Sequence, residues 1–237
     1  MNGIVIIGGS TEAHRLARAL PSALVRLPTP ERVARRWPGA VSFGPVTADW
    51  LRAVGAGAVI EAAHPANTRA AFAAAAAARA AGVPILQLVR ASWRAGPGDR
   101  WVSVRDVRDA ARVIPRGARV LVTTGREALP QLRALRAEIL MRRIGQPVPP
   151  SGCPLPRGRW QCADGPISVA GELRLMRRER IEWLLVPNAG GLGGLPKLAA
   201  ARALHLPVAM IDRPRRPDGP RVITPEEALR WLQTLTS

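Results

Sequence analysis

Between Gly3 and Ala17 the chain reads GIVIIGGSTEAHRLA: an apolar, β-type run stops at Gly8-Gly9-Ser10-Thr11 and passes straight into a helical pattern. A strand, a tight glycine turn and a helix in that order are how an α/β sheet domain begins. Gly8 and Gly9 admit backbone angles closed to other residues, and Ser10 and Thr11 are residues that cap helices and offer hydroxyls. The N–H groups of such a helix start, at the positive end of its dipole, suit an anion. The spacing is not G-x-G-x-x-G, and many α/β proteins turn through a glycine pair without a ligand, so the turn alone leaves both readings open.

The same alternation continues. Strand-like runs near residues 3–8, 23–27, 58–63 and 84–89 alternate with helical stretches near 11–20, 30–37 and 67–81, the last nearly all alanine and arginine. Residues 91–103, rich in Gly and Pro, read as a loop or crossover. A second round follows: a helix over 104–113, a strand over 119–124, a helix over 126–136 and a strand over 137–143. After a Pro/Gly-rich loop at 146–159 come a helix over 168–179, the strand 183–186, the glycine turn 188–194, a helix over 196–204, the strand 208–211 and a C-terminal helix capped by Thr224 with Glu227 three residues on. The expected fold is α/β, with two Rossmann-like parallel-sheet domains, residues 1–98 and 99–237, and the natural site in an inter-domain cleft.

Length and composition bound the rest. A chain of 237 residues with 47% hydrophobic content buries a core without staples, and no apolar run approaches the ~20 residues of a membrane span. A strand beginning at once leaves no room for a signal peptide, so a cytoplasmic protein is expected. Cys153 and Cys162 lack CxxC spacing and companion histidines, the pattern of free thiols rather than a metal site. The formal net charge is +18, and only one of the 35 basic residues, Lys197, is a lysine. A GC-rich genome accounts for arginine over lysine, but not for the excess over 17 acids. That excess suits a polyanionic partner: a phosphorylated cofactor, a polycarboxylate or nucleic acid. Nucleic acid fits least, because the arginines are dispersed, aromatics are 4% and no nucleic-acid-binding signature occurs.

Several residues are candidates for chemistry. Lys197 follows Gly190, Gly191, Gly193 and Gly194 and opens a helix; it is either a point-charge contact to an anion or a solvated first-turn lysine. His64 and Glu61 sit at the C-terminal end of a strand, where open α/β sheets bind ligands, and His64 is either a donor oriented by Glu61 or a structural residue. No HExxH, GxSxG or Walker A pattern is present, and with no tyrosine the Tyr-Lys relay of short-chain dehydrogenases is excluded. The tip of the second strand, Arg26-Leu27-Pro28-Thr29-Pro30 with Glu31 and Arg32 after it, lacks the acid that holds an NAD ribose, which favours NADP(H).

In order along nearly the whole chain, these segments resemble the precorrin-6A reductase family of cobalamin biosynthesis. The turn with Glu12 resembles the family's GGTxEAR, VIEAAHPA its DATHPFA, and Arg90-Ala91-Ser92-Trp93 its RPxW. Thr123-Thr124-Gly125 matches its TTG, and GGLGGLPKLAAARALHLPVAMIDRP resembles its closing segment, ending in Arg213-Pro214. The chain departs at His14, Glu61, Ala63, Ala66 and Pro187-Asn188-Ala189. The resemblance implies a reductase that passes a hydride from NADPH to a carbon–carbon double bond of precorrin-6A, giving precorrin-6B.

It further implies cofactor contacts at Gly8, Gly9, Ser10, Thr11 and Glu12 of the first half, or at Thr124, Gly125, Arg126, Gly190, Gly191 and Lys197 of the second. Substrate contacts would fall at His64, Arg90, Trp93, Asn188 and Arg213, with the proton from His64, Glu61 or water. An arginine-rich site suits the substrate's ring of carboxylates. No metal, membrane or nucleic acid is expected, and neighbouring corrin-pathway enzymes are candidate partners. The competing expectations are the cobalt-precorrin-6A reductase of the anaerobic pathway, a nucleotide-dependent transferase on the same scaffold, and a basic nucleic-acid-binding protein.

Overall fold

The computed structural model describes residues 3–28, 36–145, 148–149, 151–165 and 167–235. They form two compact units, Met1–Ala91 with Pro214–Ser237, and Ser92–Arg213.

In the first unit the strands are β1 (Ile4–Ile7), β2 (Leu24–Leu27), β3 (Val41–Phe43), β4 (Ala58–Glu61), β5 (Ile85–Leu88) and, from the C-terminal segment, β12 (Arg221–Val222). They pair in parallel in the order β12-β5-β4-β1-β2-β3. Successive residues of β1 point to opposite faces. Ile6 meets Leu16 and Ala17 of α1 (Thr11–Ala19) and Ala228 and Leu232 of α8 (Pro225–Thr234). Val5 and Ile7 meet Leu51 of α2 (Ala48–Ala53) and Ala74, Ala77 and Ala78 of α3 (Thr68–Ala81). The alanine-rich α3 therefore packs close on the sheet, and Gly82, at φ 68°, ends it in the left-handed cap that favours glycine. The capping box of Thr224 and Glu227 is formed.

The second unit repeats the plan with β6 (Arg100–Val104), β7 (Arg119–Val122), β8 (Glu138–Ile144), β9 (Gly158–Ala163), β10 (Trp183–Pro187) and β11 (Pro207–Ile211), again all parallel, in the order β6-β11-β10-β7-β8-β9. Val120 and Val122 face α4 (Val107–Val113) and α5 (Leu129–Leu132), while Leu121 faces α6 (Val169–Arg178) and α7 (Leu195–Ala203).

The α/β class and two parallel sheets agree with the reading from sequence; several details differ. The C-terminal segment from Pro214 joins the first unit, adding β12 to its sheet and laying α8 against α1, so residues 214–237 do not extend the second. Residues 100–104, expected as the end of a loop and the start of a helix, form the edge strand β6. The 146–159 loop ends in β9, and only a short 3-10 turn and α5 occupy 126–132. The helix expected near 30–37 lies largely outside the described residues, as do Thr29, Pro30, Glu31 and Arg32.

Candidate functional site

In each sheet the chain order reverses at one place, between β1 and β4 and between β7 and β10, and the crevice beyond the C-terminal ends of such strands is where open α/β sheets take ligands. The loops at these two places are Gly8–Ser10 with Ala62–His64, and Thr123–Arg126 with Asn188–Gly194. They contain most of the residues expected from sequence.

At the first edge, Gly8 is required by space, since a Cβ there would lie 2.7 Å from the Leu27 side chain; Gly9, at φ 131°, lies against the backbone of Ala63 and His64. Ser10 caps α1, accepting from the Ala13 N–H at 3.0 Å and donating to the Ala62 carbonyl at 2.7 Å. Its buried hydroxyl joins the two loops and is not offered to a ligand. Thr11 is exposed. Glu12 pairs with Arg90 at 2.8 Å, so these two neutralise each other across the mouth of β5.

Glu61 is fully buried and ion-paired with Arg216, whose guanidinium also donates to Gln87 at 3.1 Å and to the Pro65 carbonyl at 3.3 Å. Burial pushes the Glu61 carboxyl above its ordinary value, while Arg216, the Ala63 N–H and Arg221 pull it back. Glu61 therefore anchors the Ala62–Pro65 loop and does not orient His64 directly. The His64 Nδ1 accepts from the Ala66 N–H at 3.3 Å, leaving the neutral ring's proton on Nε2. Arg26, expected at an open strand tip, is buried: its Nη2 donates to the Pro45 carbonyl at 2.8 Å and its guanidinium stacks 4.3 Å above Trp50. It is part of the framework and is not a cation on offer at the strand tip, so the strand-tip argument for NADP(H) keeps only the missing acid.

At the second edge, Thr124 is 7% exposed and its hydroxyl, like that of Thr123, has no hydrogen-bond partner among the described residues. A buried hydroxyl left this way costs about 1–3 kcal/mol until a ligand or water meets it. The Glu127 carboxylate lies where a side chain at Gly125 would be, so the Thr124-Gly125-Arg126 turn presents an acid beside its exposed arginine. Gly190 and Gly191 have φ of 69° and 75°, angles that glycine takes without strain.

Trp93, Asn188 and Arg213 meet around this loop. Asn188 exchanges two hydrogen bonds with the Trp93 backbone, the indole N–H donates to the Gly191 carbonyl, and Arg213 donates to the carbonyls of Asn188 and Ala189. Lys197 lies in the first turn of α7, half-buried, 3.5 Å from the Gly194 carbonyl and with no carboxylate in ion-pair range among the described residues. Burial lowers its amine from 10.5 to about 8; Glu172 pushes it up and Arg142 down. It is therefore not a solvated first-turn lysine.

Sequence reasoning missed Arg142, which makes a buried bidentate pair with Glu172 at 2.6 and 3.0 Å, and Arg143, buried 4.9 Å from the Trp160 ring. Their signal was two arginines in succession inside an otherwise apolar strand. Arg216 and Gln87 gave none. Among the described residues no cluster of three metal-ligating side chains occurs, and no helix is long and apolar enough to cross a membrane.

Hydroxyls with no hydrogen-bond partner and a cation with no ion-pair partner among the described residues, beside a glycine loop with left-handed angles, suit the phosphates of a dinucleotide. These are features of the chain itself; comparison with known proteins shows the family. The model of the family described as "Precorrin-6x reductase CbiJ/CobK" matches residues 3–233. The chain is 35% identical to precorrin-6A reductase of Rhodobacter capsulatus over 98% of this chain and 96% of that protein. To the Rhodococcus erythropolis protein of the same name it is 36% identical, over 100% and 99%. The solved structure of CobK precorrin-6A reductase superimposes with a TM-score of 0.91 at 34% identity, covering 100% of this chain and 98% of that one. With its glycine loops, its paired parallel sheets and its full-length likeness to these proteins, the chain belongs to the precorrin-6x reductase family.

Proposed function

We propose that this protein reduces one carbon–carbon double bond of precorrin-6A with NADPH, giving precorrin-6B, in cobalamin biosynthesis. The observation that carries the reading on the side of this chain is Lys197, a cation with no ion-pair partner among the described residues, beside the Gly190–Gly194 loop. The nicotinamide cofactor supplies the hydride. Gly190, Gly191, Lys197 and the Thr123 and Thr124 hydroxyls hold its phosphates. The phosphorylated form is favoured by the tip of the second strand, whose sequence Arg26-Leu27-Pro28-Thr29-Pro30 carries no acid to take a ribose diol.

A hydride added to one carbon requires a proton on its neighbour. Glu61 is fully buried and ion-paired, so His64, through Nε2–H, is the donor. The macrocycle's carboxylates are held by exposed and half-buried arginines through charge-assisted bonds.

Titration of the protein's fluorescence with NADPH and NADH, followed by anaerobic incubation with precorrin-6A while nicotinamide absorbance is recorded, tests this. Oxidation of NADPH only with the tetrapyrrole present supports it. Failure to bind either dinucleotide, or turnover with NADH alone, overturns the cofactor assignment.

A further inference from the structure

Trp93 is built into the second edge in a way that a ligand contact does not require. The Asn188 side chain accepts from the Trp93 N–H at 2.8 Å and donates to the Trp93 carbonyl at 3.0 Å, so one amide fixes both backbone groups of residue 93. The indole's single donor is spent on the Gly191 carbonyl at 2.9 Å. Its six-membered edge fills the space beside Gly194, where a Cβ would lie 2.2 Å from a ring carbon. The Lys197 amine lies 5.9 Å from the ring centroid. A loop with four glycines in five residues has much conformational freedom to lose, and this clamp holds it in one shape.

We propose that Trp93 is a positioning residue: its indole fixes the Gly190–Gly194 loop and covers the Lys197 amine, and so sets how Lys197 meets the phosphate oxygens of the bound nucleotide. The proposal rests on the reading of Lys197 as a cofactor contact. It moves Trp93 from the macrocycle to the cofactor. The charged groups that face the amine from the elements packed on α7 are Glu172 on α6 and Arg142 on β8; being paired with each other they largely offset, which leaves desolvation as the leading influence on it.

Because Lys197 is the only lysine, labelling lysine with 13C at Cε gives one side-chain resonance, and its pH titration reports this amine alone. Wild-type protein is expected to titrate near pH 8. Trp93→Ala uncovers the amine and should move the midpoint up by roughly one pH unit or more. Trp93→Phe, which keeps a ring beside Gly194, should move it less and guards against misreading a folding defect. In turnover both variants should raise the KM for NADPH, by about tenfold for Trp93→Ala, with kcat and the KM for the macrocycle changed less than about twofold. An unmoved lysine midpoint in Trp93→Ala, or a rise confined to the macrocycle KM, overturns the proposal. If the midpoint moves as expected but saturating NADP+ leaves the wild-type resonance unchanged, the clamp stands and the assignment of Lys197 to the cofactor is what fails.

Discussion

Lys197→Met should make the protein more stable at neutral pH while weakening its hold on the cofactor. An amine that ionises at about 8 in the folded chain and at 10.5 when exposed is bound more weakly to its proton by the fold than by the unfolded chain. Between those values the unfolded state holds the extra proton, so stability rises with pH across the window, and the penalty is complete below about pH 8. At 1.36 kcal/mol per tenfold, it amounts to ~3 kcal/mol at pH 7, an upper figure because the amine is only half-buried. Methionine keeps most of the stem's volume without the charge.

Urea unfolding followed by tryptophan fluorescence at pH 7 and pH 10.5 measures this. The expectation is a gain of about 1–3 kcal/mol at the lower pH and almost none at the higher. The comparison is clean because the chain has no tyrosine and no other lysine, leaving Cys153, Cys162 and the N-terminus as the other groups that ordinarily titrate there. A variant no more stable than wild type at pH 7 refutes the reasoning. So does an advantage that persists at pH 10.5, since better packing would then be its cause.

Arg216→Met should cost about 3–5 kcal/mol in the same unfolding assay, because it strands Glu61 in the core; adding Glu61→Gln should recover part of that, and no recovery would mean that the charge was not the problem. Gly194→Ala places a Cβ 2.2 Å from the Trp93 ring. It should lower stability by about 1–3 kcal/mol and shift tryptophan emission to the red, whereas an unchanged spectrum would show that the loop gives way instead of the ring. His64→Gln should lower kcat by about 10²-fold with NADPH affinity unchanged, seen in steady-state kinetics; a loss below about threefold would assign the proton to water.

The interior of the fold was legible because its strands carry their own pattern: β1, β4, β7, β10 and β11 are short apolar runs between glycine or proline punctuation. The edge strands were not. β3, β6, β9 and β12 are short or of mixed polarity with largely open faces, and each is a strand because a neighbour offers a hydrogen-bonding edge. The return of residues 214–237 to the first sheet follows from the same cause, since nothing local in Arg221-Val222 says which sheet it will extend.

The site was legible to the extent that its parts are loops at strand ends. Gly8–Ser10, His64, Thr123–Gly125 and Asn188–Lys197 all stand at the C-terminal edges where the chain order reverses. What could not be read was how each side chain is used. Glu61 was paired in expectation with His64, three residues away, but its partner is Arg216, 155 residues along. Trp93 and Asn188, 95 residues apart, hold each other.

The charge excess takes on a different meaning once these partners are known. Arg26, Arg142, Arg143 and Arg216 are buried, and each guanidinium is met by a carbonyl, a carboxylate or an aromatic face. Such pairings use the planar fork and permanent charge of arginine. Arg26, Arg142 and Arg216 therefore serve the framework and are not on offer to a polyanion. Position 197 has different requirements: the amine has one weak carbonyl contact and a ring nearby, and a guanidinium there would bury several donors without acceptors. A compact ammonium can stand there without an ion-pair partner among the described residues, at a cost in stability, and an anionic ligand that arrives completes its bonds and holds its proton more tightly. The sole lysine thus stands where none of the described carboxylates forms an ion pair with it.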